Sequence, residues 1–309
     1  MSEADLQARG TTLQIPPARQ GPGPMPQRLI EALDLVVAHR TAGALPGDRR
    51  AFGVGAGTEL AQLRPYEPGD DVRHIDPAAT ARTSQPHVRL QVPERTLTTW
   101  LVLDISPSMA FGTAARLKSD VAEGVALVMS RLAVRRAGRV ALLTFGGDRP
   151  RLLRPRASKP GVAAVRRTLE EGLVPDGVAR PSAFAEALVL LRKVATQPGL
   201  VAIVSDWRDQ HGWARPLGAL AARHSMLAVE VHDEREGVLP AVGHLALVDP
   251  ESGERVEVDT SRRRVREAFE RFENERREHV AGELRRLQIE HARISTSDDW
   301  LLELGRRLR

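Results

Sequence analysis

Leu101-Val102-Leu103-Asp104-Ile105-Ser106-Pro107-Ser108-Met109 is an apolar run that ends abruptly in a carboxylate and two hydroxyls at alternating positions. From Thr98 to Asp104 the residues are β-branched or apolar on both faces, which suits a central parallel strand rather than a half-solvated one. Pro107 has no N–H for a ladder, so the chain turns there and gathers Asp104, Ser106 and Ser108 at the strand's exit. Oxygen ligands at the carboxyl end of a buried strand are what a hard divalent cation needs. The same residues also suit simple capping of the loop and of the helix that follows, about Ser119 to Arg136, and the spacing alone leaves both readings open.

Downstream, strands and helices alternate. Arg139 to Phe145, Leu200 to Val204 and Met226 to Val231 read as buried strands, and Arg151 to Arg154 as an arginine-flanked edge or hairpin return. Gly161–Glu171, Ser182–Ala195 and the stretch from Trp213 to His224 carry helical apolar spacing. Ala241–Val248 and Arg255–Asp259 flank the turn Asp249-Pro250-Glu251-Ser252-Gly253 as a hairpin. A long charged helix, Ala292 to Ser295 as a last edge strand, and a short helix opened by Asp298 or Asp299 complete the chain. Alternation of this kind implies a Rossmann-like, mostly parallel α/β sheet with helices on both faces. In such a sheet the strand ends meet at one crevice. Asp104, Ser106, Ser108, Ser182 and Asp206 are therefore the candidate metal ligands, with Asp209 a further carboxylate nearby. Ligation rich in hydroxyls and poor in carboxylates leaves a cation under-neutralised, so it seeks an acidic ligand from outside; that is a binding device rather than a hydrolytic one.

Composition narrows the function classes. The 309 residues contain no cysteine, which excludes disulfides, thiolate zinc sites and a cysteine nucleophile. No apolar run approaches the ~20 residues of a membrane span, and Met1 to Gln27 is polar and Pro/Gly-rich, so the chain reads as cytoplasmic with a disordered leader over residues 1–25. The net charge is only +5, carried almost wholly by arginine. The densest basic region, Arg262 to Arg293, interleaves glutamates at helical spacing, as on a salt-bridged solvated helix. Nucleic-acid binding through Arg262, Arg263 and Arg264 is the rival reading of that helix.

Asp-x-Ser-x-Ser after a buried strand, a later hydroxyl and a Ser-Asp at another strand end resemble the metal-ion-dependent adhesion site of von Willebrand factor A domains. The resemblance implies Mg²⁺ (or Mn²⁺/Ca²⁺) held by Asp104, Ser106, Ser108, Ser182 and Asp206, although serine stands at 182 where the family usually has threonine. Upstream, the run from Gly53-Val54-Gly55-Ala56-Gly57 through Arg64-Pro65-Tyr66-Glu67-Pro68-Gly69-Asp70-Asp71-Val72-Arg73-His74-Ile75-Asp76, followed by Ala81-Arg82, is similar to the signature of the bacterial domain of unknown function 58 family. There it precedes a von Willebrand A-like domain, which implies an extension over 26–96 packed on the sheet of a domain spanning 97–309. Pro77 stands where that family usually has tryptophan. Members are often encoded with MoxR-type AAA+ ATPases, which implies a non-enzymatic, metal-dependent protein-binding module that acts with such an ATPase in assembling or maturing other proteins.

The signature has its own chemistry. Gly53–Gly57 lacks the Gly-Lys-Ser/Thr of a phosphate-binding loop. Arg64, Asp70, Asp71, Arg73, Asp76 and Arg82 are matched in sign, as in a structural ion-pair clasp, with His74 beside them as a possible base. Among hydrolases, an aspartyl-phosphate enzyme needs a second carboxylate where Ser106 stands, and neither serine has the glycines of a nucleophile elbow. A metal-dependent phosphoesterase using Asp104 and Asp206 is the enzymatic alternative.

Overall fold

The computed structural model describes residues 59–92, 97–175, 177, 183–209, 212–297 and 300–307. The leader, the glycines of 53–57, Ser182, and Asp298 and Asp299 lie outside the described residues. The rest falls into two compact units, one within 47–96 and one from Leu97 onward.

In the smaller unit, β1 (Glu59–Pro65) and β2 (His87–Val92) pair antiparallel, with α1 (Pro77–Thr83) between them. The expected clasp resolves into local contacts. Arg64 binds Asp70 at 2.6 Å, and Arg73 binds its near neighbour Asp71 at 2.9 Å. Asp76 is instead the N-cap of α1, accepting from Ala79 N at 2.8 Å, and Arg82 sits exposed on the helix's last turn. Pro77 is at the first turn of that helix, where its missing N–H costs nothing.

The larger unit is built on β3 (Thr98–Asp104), α2 (Lys118–Arg135), β4 (Arg139–Phe145), β5 (Arg151–Ala157), α3 (Ser158–Leu169), α4 (Ala183–Val194), β6 (Leu200–Ser205), α5 (Ala214–Ala221), β7 (Ser225–His232), β8 (His244–Val248), β9 (Arg255–Asp259), α6 (Arg263–Arg286), β10 (Glu290–Ser295) and α7 (Trp300–Arg307). The six-stranded sheet runs β10-β7-β6-β3-β4-β5, parallel throughout except for β5. Counted within the sheet this is the order 3-2-1-4-5-6, whose reversal falls between β3 and β6. β8 and β9 form a separate two-stranded hairpin.

β3 shows why the sheet is covered on both sides. Leu101 and Leu103 pack with Val121, Val125 and Met129 of α2 and with Trp300 of α7. Trp100 and Val102, pointing the other way, pack with Phe184 and Leu188 of α4 and with Leu284 of α6. Each fully buried side chain of this size contributes roughly 1.5–3 kcal/mol, so Trp100 to Leu103 are apolar without a break, and after Thr99 at the strand's start the next polar residue is Asp104 at its exit. No helix among the described residues is long and apolar enough to cross a membrane.

Candidate functional site

β3 and β6 are adjacent and parallel, so Asp104 and Asp206 emerge side by side at the switch point. Three local features shape this edge. Gly146, just after β4, has φ +108° and approaches so closely that a Cβ there would lie 2.5 Å from Ser106 N. Ser106 N donates to Asp104 Oδ1 at 2.9 Å, closing the turn that Pro107 begins. After β6, Trp207 holds φ +56°, a costly conformation for a bulky residue. It is kept there by burial against Phe184 and Trp213, with ring centroids 5.3 and 5.4 Å away, and by Ser205 Oγ, which accepts from Trp207 N at 3.0 Å. The turn presents Asp206 and Arg208 to the crevice, with Arg208 N donating to Asp206 Oδ1 at 3.1 Å.

Asp104, Ser106, Ser108 and Asp206 are all nearly buried and line one cleft of about 610 Å³. Ser106 Oγ and Ser108 Oγ are 3.1 Å apart. Ser106 Oγ also lies beside Asp104 and Ser108 Oγ beside Asp206, each close enough to favour the ionised carboxylate. Ser205 Oγ donates to Asp104 Oδ2 at 2.6 Å. Ala183, the first residue of α4, lines the same cleft, while Ser182 lies outside the described residues. Asp209 lines the same cleft and accepts from Phe184 N at 3.3 Å.

Asp206 is not a free carboxylate. Lys118, at the start of α2 and wholly buried, donates from Nζ to Asp206 Oδ2 at 2.7 Å and to Glu236 Oε1 at 2.5 Å. Arg208 forks onto Glu273 at 2.7 and 3.2 Å, and Arg276 braces Glu273 while donating to Trp207 O at 3.1 Å. Glu273 and Arg276 are buried, so α6 is not the uniformly solvated helix that its charge pattern suggests; solvent-side pairs such as Arg263–Glu267, 2.6 Å, keep that character. Burial works to raise Asp206, but the charges of Lys118 and Arg208 bring it down to about 2. Burial, and then the charge of Asp206, push Asp104 up to about 7 against the bonds from Ser106 and Ser205.

Sequence reasoning missed Lys118, Ser205, Arg208, Glu236, Glu251 and Glu273. Lys118 left a signal: it is a rare lysine in an arginine-rich chain, and a cation in a helix's first turn opposes the macrodipole unless something else holds it. The glutamates left none, because their partners are distant in sequence.

The donor set fits a hard cation. Each serine hydroxyl has one proton and faces more than one acceptor oxygen, so acceptors outnumber protons around Ser106 and Ser108. The surrounding carboxylates Asp104, Asp206, Glu236, Glu251 and Glu273 also outnumber Lys118, Arg208 and Arg276. Among the described residues no group of three or more His, Asp or Glu is placed to hold a metal ion, so the serine hydroxyls would have to supply part of the ligation.

An uncharacterized protein of Mycobacterium tuberculosis (strain ATCC 25618 / H37Rv) is 36% identical over 280 residues, which cover 90% of this chain and 87% of that protein. Among solved structures, conserved hypothetical protein BatB from Bacteroides thetaiotaomicron aligns over 69% of this chain and 97% of its own at 17% identity and TM-score 0.44. A von Willebrand factor type A protein from Catenulispora acidiphila aligns over 44% of this chain and 33% of its own at 14% identity and TM-score 0.35. The family model described as protein of unknown function DUF58 matches residues 62–279, and with the mycobacterial relative it shows that the chain belongs to that family.

Proposed function

We propose that the chain is a non-enzymatic protein-binding module whose docking point is a divalent cation, Mg²⁺ or else Mn²⁺ or Ca²⁺, held by Asp104, Ser106, Ser108 and Asp206, with Ser182 as the further hydroxyl. The observation that carries this reading is the convergence of two serine hydroxyls, 3.1 Å apart, between two strand-end carboxylates in an open cleft. A bound divalent cation supplies a Lewis-acidic point that an acidic side chain of a partner protein can ligate. This chain's own residues do the rest. Asp104 carries a charge that no basic side chain among the described residues pairs with, Ser205 and Ser106 N hold its carboxylate in place, and Lys118 keeps Asp206 ionised and fixed. The family resemblance adds a MoxR-type AAA+ ATPase as the companion with which the module assembles or matures other proteins.

Isothermal titration with Mg²⁺ and with Mn²⁺ tests this directly. The parent protein is expected to bind at one site, and Asp104→Ala to abolish both the binding heat and any cation-dependent capture of the ATPase. An unchanged titration in Asp104→Ala overturns the reading.

A further inference from the structure

The tip of the β8–β9 hairpin enters the same cleft. Ser108 N donates to Glu251 Oε1 at 3.2 Å, and the hydroxyls of Ser108 and Ser106 lie beside the same carboxylate, favouring its ionised form. These are the two hydroxyls that face Asp104 and Asp206.

The other acidic residues lining the cleft are already occupied. Asp249 folds its own turn, accepting from Glu251 N at 3.1 Å and Ser252 Oγ at 2.6 Å. Glu273 is taken by Arg208 and Arg276, and Asp209 by Phe184 N. Glu251 has no lysine or arginine partner among the described residues. A half-buried carboxylate that lacks a counter-ion and rests on two hydroxyls is placed as a ligand is placed.

We propose that Glu251 is an internal acidic ligand of the cation site, laid by the hairpin where a partner's carboxylate would otherwise reach. This rests on the cation-site reading above. The hairpin is built to release it. β8 and β9 pair only with each other, most of their residues are exposed, and a two-stranded hairpin is marginally stable alone. Its foot is pinned by Thr260, whose N and Oγ1 donate to Gly243 O at 2.7 and 2.8 Å. Its tip is held by Glu251 and by Gly177 N, which donates to Pro250 O at 2.9 Å. An acidic partner then competes with Glu251 for one position, and the tip lifts when the partner wins.

Glu251→Gln keeps the shape and removes the charge, and Mn²⁺ alone is the probe, applied to the full chain. The variant is expected to bind Mn²⁺ on the order of tenfold more weakly, since charge count sets affinity at oxygen sites. Water-proton relaxation per bound Mn²⁺ rises as a ligand position opens to solvent. In the parent, Mn²⁺ slows amide hydrogen exchange over residues 249–254, and in the variant this protection is lost. If Glu251→Gln binds Mn²⁺ with unchanged affinity, relaxation and exchange protection, the internal ligand is wrong while the cation site stands. If the parent binds no Mn²⁺, both fall together.

Discussion

Asp104 leaves β3 among neutral donors, whereas Asp206 leaves the neighbouring β6 against a buried ammonium. The two carboxylates are at the same edge, equally buried, and joined through a pair of serine hydroxyls. Yet one is pushed up to about 7 and the other held near 2. Donor number and charge explain the split. Asp233, at the exit of β7, is also held by neutral groups, but it collects Thr113 N, Thr113 Oγ1, Thr296 Oγ1 and Arg235 N at 2.5–2.9 Å and stays near 2. Asp104 has fewer donors and faces the charge of Asp206. The strand edge therefore separates a carboxylate held ionised by an ammonium from one whose burial favours the proton.

Removing the ammonium breaks this comparison most severely. Lys118→Met leaves Asp206 and Glu236 buried without their shared partner, and losing one side of such a pair costs about 3–5 kcal/mol. Urea unfolding at neutral pH measures the loss; a change below about 1 kcal/mol would mean the ion pair is not what holds β6 to α2. Mn²⁺ should stabilise this variant more than the parent, because the metal then has the charge of Asp206 without sharing it with an ammonium.

Removing the charge from the other carboxylate has the opposite sign. In chelator, Asp104 titrates near 7 in the folded chain and about 3.9 in the unfolded one, so the folded state holds the extra proton between those values. Stability is greatest below about pH 4 on this account and declines as pH rises through 7. Asp104→Asn removes the decline and should stabilise the metal-free protein by roughly 2–4 kcal/mol at pH 8, with little effect at pH 4. Unfolding midpoints in EDTA at the two pH values decide it. Equal shifts at both would show that the carboxylate's charge is not the cause.

The difference between the two exits bears on what a sequence can reveal. The strands were legible because burial on both faces writes an unbroken apolar run; the expected Arg139–Phe145 is the observed β4, and β3 ends at Asp104. β5 runs three residues beyond the expected Arg151–Arg154 because Pro155 reads as a terminator, but on this edge strand it falls where the register with β4 shifts and no partner is paired with it. The charged helix ends earlier than its pattern, at Arg286, because Gln288 takes φ +55° where a glycine would have announced the stop. That Asp104, Ser106, Ser108 and Asp206 meet at one sheet edge was legible because local turns place them. Lys118, Glu236, Glu251 and Glu273 were not, since what pairs them is the packing of α2, the hairpin and α6 around the sheet edge. Periodicity carries no information about that.

Ser205 offers the finest adjustment of the comparison, because its hydroxyl serves both exits. It donates to Asp104 Oδ2 at 2.6 Å and accepts from Trp207 N at 3.0 Å, tying the carboxylate of β3 to the turn that positions Asp206. Ser205→Ala orphans a buried amide at any pH, and it withdraws a bond from Asp104 that matters most when Asp104 is ionised; the whole loss is about 1–2 kcal/mol. The two effects separate by pH. In chelator the loss should be larger at pH 8 than at pH 5, and the break in the stability curve assigned to Asp104 should move upward. In the Asp104→Asn background that pH dependence should vanish while the amide's share remains, which a double-mutant cycle reads as coupling between the two residues. An equal loss at both pH values would place Ser205 in the Trp207 turn alone, and the low donor count would then be an insufficient account of why Asp104 differs from Asp206.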